Sequence, residues 1–150
     1  VIAPCMERAQ KLGAPAAAME LDDGQLVTGK TSSLLGASAA LLLNAIKVLG
    51  CIPHNVHLIA PSAIEPIQTL KTQYMGSKNP RLHTDEVLIA LSMSAATDST
   101  AKKALSQLPK LRGCQVHTSV MLSDVDIKVF KKLGVELTSE PVYEHKKLYH

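Results

Sequence analysis

The sequence of 150 residues contains no tryptophan, and its three tyrosines and one phenylalanine give an aromatic share of only 3%. Proteins that bind single-stranded nucleic acid stack bases on aromatic side chains, so this composition argues against that class. The charge is nearly balanced, with 16 Lys and Arg against 13 Asp and Glu, and shows no basic stripe that would contact a phosphate backbone. We therefore expect no nucleic-acid partner and an aliphatic core.

Cysteine is scarce as well, and the three that occur, Cys5, Cys51 and Cys114, lie far apart and form no C-x-x-C pair. An odd number at these spacings encodes neither a disulfide framework nor a zinc knuckle. The richest apolar run, residues 34–46, contains polar residues and falls short of the roughly 18 apolar residues of a membrane span. We therefore expect a protein of the reducing cytoplasm with no membrane partner.

Hydrophobic spacing and turn residues divide the chain into alternating helices and strands. In chain order they predict a helix before Gly13, strands at 16–21 and 25–29, a helix to about 49, a strand at 56–60, helices at about 62–76, 84–96 and 98–108, a strand at 114–122, a helix at 123–133 and a strand at 135–138. The predicted helix caps are one of residues 31–33, then Ser62, Thr84, Asp98 and Ser123. This order predicts a single compact α/β domain over residues 1–150, with a β-hairpin followed by alternating helices and strands, a mixed sheet covered by helices, and a polar tail at 141–150.

Residues 24–31 match the phosphate-loop pattern G-x-x-x-x-G-K-[ST] letter for letter. In a working phosphate loop, the first glycine ends a buried strand and the following residues curl so that their amides point at a phosphate. Here residues 25–28 form an extended stretch, and the Asp-Gly turn accounts for Gly24 without a nucleotide. The sequence therefore favours a hairpin at this position over a nucleotide loop.

A weaker interpretation concerns the start of the helix that follows the hairpin. Lys30, Thr31, Ser32 and Ser33 precede its predicted N-terminus, where free amides attract anions and a lysine adds positive charge. The same residues form an ordinary cap in most proteins. An anion site and a plain cap both stay open here.

The loop at residues 76–86 holds the densest mixture of charged and polar side chains in the chain. Lys78, Asn79 and Arg81 are candidates for binding a phosphate or a carboxylate. The alternative is a solvated connection between two helices, because loops are polar whether or not they bind anything.

The same loop also carries the candidate catalytic residues His83, Asp85 and Glu86. An imidazole beside a carboxylate can transfer a proton when burial tunes its pKa. The alternative is again structural, since Asp85 and Glu86 also suit the first turn of the predicted helix, where the helix dipole favours anions.

Two further groupings give weaker signals. His117 and Ser119 lie two residues apart on one predicted strand, where they face the same way but are too distant for routine contact, and no third residue completes a triad. His54 and His57 suggest a metal, but a structural zinc site needs four ligands and no second pair has matching spacing. We expect no metal site, and a hydrolase built on His117 and Ser119 remains a minor alternative.

Several long segments of the chain resemble one bacterial family. They are GAPAAAMEL, VTGKTSSLLGASAALLLNAIK, IEPIQTLKTQYMGSKNPRLHTDEVLIALSMSAAT, QLPKLRGCQVHTSVMLSDVD and LGVELTSEPVY, and together they span almost the whole chain. They are similar to the C-terminal region of domain-of-unknown-function family 1846, also called uncharacterised protein family 0371.

The resemblance implies a cytoplasmic, oligomeric bacterial protein with no established activity, and it transfers no catalytic residue. It also implies a longer chain, whose N-terminal part has its own glycine-rich, phosphate-loop-like segment and is the better candidate for binding a nucleotide. The first residue here is Val1. We therefore expect the chain to be the C-terminal part of a longer protein, with the N-terminal portion of that parent as its partner.

Two alternative functions are consistent with these sequence features. In the first, the domain is one wall of a site for an anion, a phosphorylated metabolite or a nucleotide, which requires the segments around Lys30 and Arg81 to converge on one pocket. In the second, it is a non-catalytic assembly module whose apolar helices at 34–49 and 87–96 pack against another subunit, as in a homo-oligomer. The residues assign neither a cofactor nor a reaction, and they leave open whether the domain is an enzyme.

Overall fold

The Asp-Gly turn joins two antiparallel strands, β1 (Ala16–Glu20) and β2 (Leu26–Lys30), in the computed structural model, which describes residues 2–142. Gly24 occupies the left-handed region at φ 85°, which glycine adopts without the strain that a side chain would bring. Ala18 lies opposite Thr28 in the register. The hairpin prediction is therefore confirmed.

The hairpin forms one side of a four-stranded mixed sheet in the order β2-β1-β3-β4. The strand β3 (Gln115–Thr118) runs antiparallel to β1, and β4 (Glu136–Ser139) runs parallel to β3. Helix α6 (Asp124–Leu133) connects these two parallel strands. It begins after Ser123, whose side chain accepts a hydrogen bond from the Asp126 amide, and it ends at Gly134 in the left-handed conformation. The start and end predicted for α6 are both confirmed.

Helices cover both faces of the sheet. The first four residues of β1 are all fully buried, and since alternate residues of a strand point to opposite faces, neither face of β1 reaches solvent. Helix α1 (Ile2–Leu12) and helix α2 (Ala37–Leu49) both pack against β1 and β2. Seven of the thirteen residues of α2 are buried, as its apolar sequence predicts.

Gly29 on β2 explains how closely α2 approaches the hairpin. A Cβ atom at this position would lie 2.3 Å from the Leu41 amide nitrogen and 2.7 Å from the Ala37 carbonyl oxygen. No side chain fits at that distance, because both contacts are backbone atoms that cannot move alone. The second glycine of the phosphate-loop pattern is therefore required for packing the helix on the strand.

The remaining helices pack around α2 and α6. They are α3 (Pro61–Thr69), which continues into a π-helical turn at Leu70–Tyr74, α4 (Thr84–Ala95), α5 (Ser99–Leu105) and a short 3₁₀ helix at Leu108–Leu111. Helix α4 contacts α5, α6 and α2. Asp98 caps α5 through a hydrogen bond from the Thr100 amide, as predicted.

Three predicted helix caps are wrong. Helix α2 begins at Ala37 and not within residues 31–33, because Ser32 Oγ accepts the amides of Leu34 and Leu35 in a local turn. Helix α3 begins at Pro61 after Ala60, so Ser62 does not cap it. In α4 the N-cap is His83, and Thr84 is the first helical residue.

The predicted strand at 56–60 is also wrong. Leu58 and Ile59 are buried as expected, but they join the apolar core beside α2 and the backbone belongs to no strand of the sheet. A short apolar run cannot by itself distinguish a strand from a buried loop.

Helix α4 is less buried than its apolar sequence predicts. Ile89 is 62% exposed and Met93 is 73% exposed, one helical turn apart on the same face. Within residues 2–142, no helix is both long and apolar enough to cross a lipid bilayer. The overall prediction, an α/β domain with a mixed sheet covered by helices, is confirmed, while residues 143–150 of the predicted polar tail lie outside the described part of the chain.

Candidate functional site

A pocket of about 290 Å³ lies at the carboxyl end of β3. This volume is near the lower end of the range that holds small ligands. In open α/β sheets, ligands bind next to the carboxyl ends of strands. The lining residues are 15–16, 31, 36–39, 79, 81–83, 118, 120–123 and 126.

Three helices begin at this pocket. Residues 36–39 belong to the start of α2, residues 82–83 directly precede α4, and residues 122–123 directly precede α6. A helix N-terminus presents unpaired amides and the positive end of the helix dipole, which together favour a negative ligand. The fold therefore brings the N-termini of three helices to one place.

Two loops that are distant in sequence are joined beside the pocket. Leu35 and Leu82 form a parallel bridge. The Leu82 amide donates to the Leu34 carbonyl at 3.0 Å, and the Gly36 amide donates to the Leu82 carbonyl at 3.2 Å. These bonds hold the segment before α2 against the segment before α4, so the two helices begin side by side.

Arg81 strengthens the same junction through its side chain. Its Nε donates to the Ser32 carbonyl oxygen at 2.6 Å. No other hydrogen bond of the Arg81 guanidinium is found within residues 2–142. Because Arg81 lines the pocket, its two Nη groups can pair with an anionic ligand while Nε stays bound to the loop.

Lys71, from the π-helical turn, fixes the loop from inside. Its ammonium group donates to the Arg81 carbonyl oxygen and to Glu86 Oε1, the latter at 2.8 Å. Glu86 Oε1 also accepts the backbone amide of His83 at 2.8 Å. Lys71 and Glu86 therefore hold the backbone that presents Arg81 and His83.

His83 faces a buried carboxylate from another helix. Its Nδ1 lies 3.6 Å from Asp126 Oδ2, and the carboxylate of Asp126 raises the pKa of His83, although burial acts in the opposite direction. Burial alone would raise the pKa of Asp126, but His83 and two hydrogen bonds from Thr84 lower it on balance. Thr84 donates to Asp126 Oδ1 from its amide at 2.9 Å and from its hydroxyl at 2.6 Å.

The pair therefore favours a charged imidazole beside a charged carboxylate. Both His83 and Asp126 line the pocket. A protonated imidazole in this position can donate a proton or a hydrogen bond to an oxygen of a bound ligand.

The structure brings together part of the predicted anion-binding set. Thr31, Asn79 and Arg81 line the pocket, so the two predicted segments converge. Four other predicted residues, Lys30, Ser32, Ser33 and Lys78, are exposed and do not line it. The expected helix start at residues 30–33 is absent because α2 begins later.

The predicted catalytic set is corrected in one respect. His83 lines the pocket, but its ring faces Asp126 and not Asp85 or Glu86. Asp85 Oδ1 accepts the Glu86 amide at 2.8 Å, which is a local first-turn contact, and Glu86 is occupied by Lys71 and the His83 backbone. Neither carboxylate forms an ion pair with the imidazole within residues 2–142, and Glu86 acts on it only through its charge, which contributes to the raised pKa of His83 after Asp126.

His117 and Ser119, the predicted pair on one strand, both form hydrogen bonds within the sheet region. His117 bonds to Thr138 Oγ1 at 2.7 Å and to Glu140 Oε2 at 2.9 Å, which ties β3 to β4. Ser119 Oγ accepts the Ala16 amide at 2.9 Å and is therefore already used. His54 and His57 are exposed, and residues 2–142 hold no group of three or more His, Cys, Asp or Glu side chains arranged to bind a metal ion.

Three residues in or beside the pocket are not singled out by the sequence. Asp126 lies in the first turn of the predicted helix at 123–133, Lys71 has no sequence signal apart from being a lysine within an otherwise apolar helical stripe, and Ser38 interrupts an apolar run. A lone polar residue in such a run is a signal for a buried polar group, and it could have drawn attention to Ser38.

Comparison with known proteins identifies relatives across nearly the whole chain. The family model described as "Domain of unknown function DUF1846, C-terminal" matches residues 1–149. The chain is 59% identical over 149 residues to a UPF0371 protein of Corynebacterium efficiens. The aligned region covers 99% of this chain and 30% of that protein. It is 48% identical over 143 residues to a UPF0371 protein of Streptococcus pyogenes. Here the aligned region covers 95% of this chain and 29% of that protein. The chain thus spans about 30% of the length of these relatives.

Proposed function

Because the chain belongs to the DUF1846 family and corresponds to its C-terminal domain, we propose that it forms one wall of a binding site for a small phosphorylated metabolite or nucleotide. The observation that supports this proposal most is that the N-terminus of α2, which has no side-chain cap, and Arg81 both line one pocket. Such an arrangement favours a ligand with a negative charge of two or more, as a phosphate group has.

The remaining part of the site comes from the N-terminal portion of the parent chain in this proposal. The relatives are roughly three times as long as this chain, which covers 30% of the Corynebacterium efficiens protein. Enclosure by a second part of the same protein would remove water and strengthen every electrostatic contact in the site.

His83 is the residue of the proposed site that donates a hydrogen bond or a proton. Asp126 favours the charged form of its imidazole, which donates to a phosphate oxygen, either to bind it or to protonate a leaving group. A binding role needs only the hydrogen bond, whereas a catalytic role needs a second reactant that the parent chain would position.

Titration calorimetry with inorganic phosphate, pyrophosphate and a panel of phosphorylated metabolites tests the proposal. We expect binding to the chain and at least about tenfold weaker binding to Arg81→Ala, since a hydrogen bond to a charged group contributes about 1.5–3 kcal/mol. Lys78→Ala is the matched control, because this cation lies in the same loop but outside the pocket. Equal losses for both variants would indicate nonspecific charge attraction and contradict the proposal.

The same panel measured with the full-length Corynebacterium efficiens relative tests the role of the N-terminal portion. We expect tighter binding and narrower selectivity in the full-length protein, because a closed site contacts more of the ligand. Equal affinities in the two proteins would mean that the C-terminal domain contains the whole site.

A second candidate, an assembly module, is favoured by one face of α4. Ile89 and Met93 are the exposed apolar residues on this helix, whereas α2 is largely covered by its own domain. Exposed apolar side chains one turn apart are typical of a contact between subunits. Sedimentation velocity of the chain and of the double variant Ile89→Ser, Met93→Ser tests this: dissociation of an oligomer supports it, and a monomer at all concentrations rejects it.

A further inference from the structure

The first amides of helix α2 have no hydrogen-bond acceptor within residues 2–142. The first residues of any helix lack an intrahelical acceptor, and here the N-cap is Gly36, which has no side chain to accept them. The first bond across the helix start runs from the Ala40 amide to the Gly36 carbonyl at 3.0 Å. The amides of residues 37–39 therefore precede the regular bonding pattern, although Ala39 is almost completely buried.

Ser38 presents a second unpaired group at the same place. The residue is only 3% exposed, and its Oγ has no hydrogen-bond partner among residues 2–142. It lines the pocket together with Gly36, Ala37 and Ala39. Leaving a hydroxyl buried and unpaired destabilises a fold, so this position requires a partner such as a water, an ion or a ligand.

The other two helix starts at the pocket are already neutralised by protein groups. The Thr84 amide at the start of α4 donates to the Asp126 carboxylate, and the Asp126 amide at the start of α6 donates to Ser123 Oγ. Only α2 among the three has no side-chain cap and no carboxylate at its N-terminus. The strongest uncompensated positive end in the pocket therefore belongs to α2.

We propose that the N-terminus of α2 and the hydroxyl of Ser38 form the subsite that binds the terminal phosphoryl group of a phosphate monoester. This subsite rests on the proposed function and narrows it to one position and one chemical group. The amides of residues 37–39 and Ser38 Oγ donate to the phosphoryl oxygens, and Arg81, which lines the same pocket, adds a charged donor. The rest of the metabolite then extends past His83, which also lines the pocket.

Calorimetric titration of the chain with inorganic phosphate and with methyl phosphate tests the subsite, and acetate serves as the planar anion. Ser38→Ala removes only the hydroxyl. Ala37→Pro removes one amide hydrogen at the first helical position, where proline is favoured, and Gly36 already has φ −69° and ψ 162°, which suit a residue before proline. Ser33→Ala is the matched control, since Ser33 is exposed and lies outside the pocket.

We expect phosphate and methyl phosphate to bind and acetate to bind far more weakly. Ser38→Ala and Ala37→Pro should each lower the affinity for phosphate at least about tenfold, the size expected for a lost hydrogen bond to a charged group, and Ser33→Ala should not change it. Without ligand, Ser38→Ala should melt at the same or a higher temperature than the unsubstituted chain, because the variant no longer buries an unpaired hydroxyl.

Each contrary outcome is distinct. If the chain binds phosphate and both variants bind it within about twofold of the original affinity, the subsite is wrong and the proposed function stands. If Ser38→Ala melts at a markedly lower temperature without ligand, Ser38 is structural and the subsite is overturned. If neither phosphate nor methyl phosphate binds to the unsubstituted chain, the subsite and the proposed function both fail.

Discussion

Two neighbouring segments, the hairpin residues 24–31 and residues 36–39 at the start of α2, differ sharply in how they appear in sequence and in structure. Residues 24–31 spell a complete phosphate-loop pattern and form a hairpin strand. Residues 36–39 match no pattern and line a pocket, and within residues 2–142 the amides of residues 37–39 and the Ser38 hydroxyl have no hydrogen-bond partner. Phosphate binding depends on the direction of the backbone amides, and the letters of a motif do not specify that direction. Here residues 26–30 are themselves a strand that pairs with β1.

The glycines of the first segment have purely structural explanations. Gly24 provides the left-handed residue of the turn, and Gly29 allows α2 to pack against β2. Both explanations concern the hairpin and its helix, and neither involves a ligand. The comparison predicts that substitutions in the first segment change stability, while those in the second change binding.

Gly29→Ala should have the largest effect on stability. The added Cβ would meet backbone atoms of α2 at 2.3 and 2.7 Å, so the helix must move away from the sheet at a cost of about 3 kcal/mol or more. Gly24→Ala is the matched glycine control, because nothing lies within 4 Å of its added Cβ and only the left-handed backbone resists it, at roughly 1–2 kcal/mol. Urea unfolding measures both values, and a smaller loss for Gly29→Ala than for Gly24→Ala would contradict the packing account.

Asp126→Ala should have the next largest effect. The change leaves the buried amide and hydroxyl of Thr84 without an acceptor, which costs about 2 kcal/mol in the free energy of unfolding. Asp124→Ala is the control, since this carboxylate lies in the same first turn but is exposed. Equal losses for the two variants would show that Asp126 acts only through the helix dipole.

The stability of the pocket wall should depend on pH through His83 and Asp126. The raised pKa of His83 stabilises the fold fully below its ordinary value of 6.5, and this contribution is lost as the pH rises through the raised pKa. The lowered pKa of Asp126 stabilises the fold above 3.8, and this contribution is lost as the pH falls through the lowered pKa. His83 and Asp126 together therefore contribute most to the stability of the fold between pH 3.8 and pH 6.5, the two ordinary pKa values.

Thermal melts in buffers without phosphate check this window. The difference in Tm between the unsubstituted chain and His83→Gln should be larger near pH 5.5 than near pH 8.5, because Asp126 stabilises the charged imidazole and less of that form remains at the higher pH. His54→Gln, an exposed histidine outside the pocket, should show no such change with pH. A difference for His83→Gln that is larger at the higher pH would mean that the neutral imidazole is the favoured form.

Lys30→Ala should have the smallest effect. The lysine of the phosphate-loop pattern is exposed on β2 and does not line the pocket. We expect the affinity for inorganic phosphate, measured by calorimetry, to change by less than about twofold, because an exposed charge outside the site is screened by water and salt. A loss of affinity as large as that of Arg81→Ala would mean that the hairpin segment takes part in binding the phosphate.

Local signals were sufficient to predict the hairpin, α5 and α6. An Asp-Gly turn, the cap at Asp98, and the pair of Ser123 and Gly134 each act within a few residues of the boundary that they set. The α/β class follows in the same way from the alternation of these elements.

The start of α2 and the partner of His83 depend on contacts between distant segments. The bridge between Leu35 and Leu82 keeps the chain extended past the serines that would otherwise cap the helix. Asp126 reaches His83 only because α4 and α6 pack together. Sequence spacing contains no information about either contact, so the pocket could be located in part, through Arg81 and His83, but its geometry could not be predicted.

The central claim is that an anion binds at the start of α2 and not on the hairpin. Two-dimensional ¹H–¹⁵N NMR of the chain titrated with inorganic phosphate tests this most directly, because it reports each backbone amide separately. We predict saturable shifts for the amides of residues 37–39, with residues 24–29 unchanged. Saturable shifts for residues 24–29 with none at residues 37–39 would contradict the account.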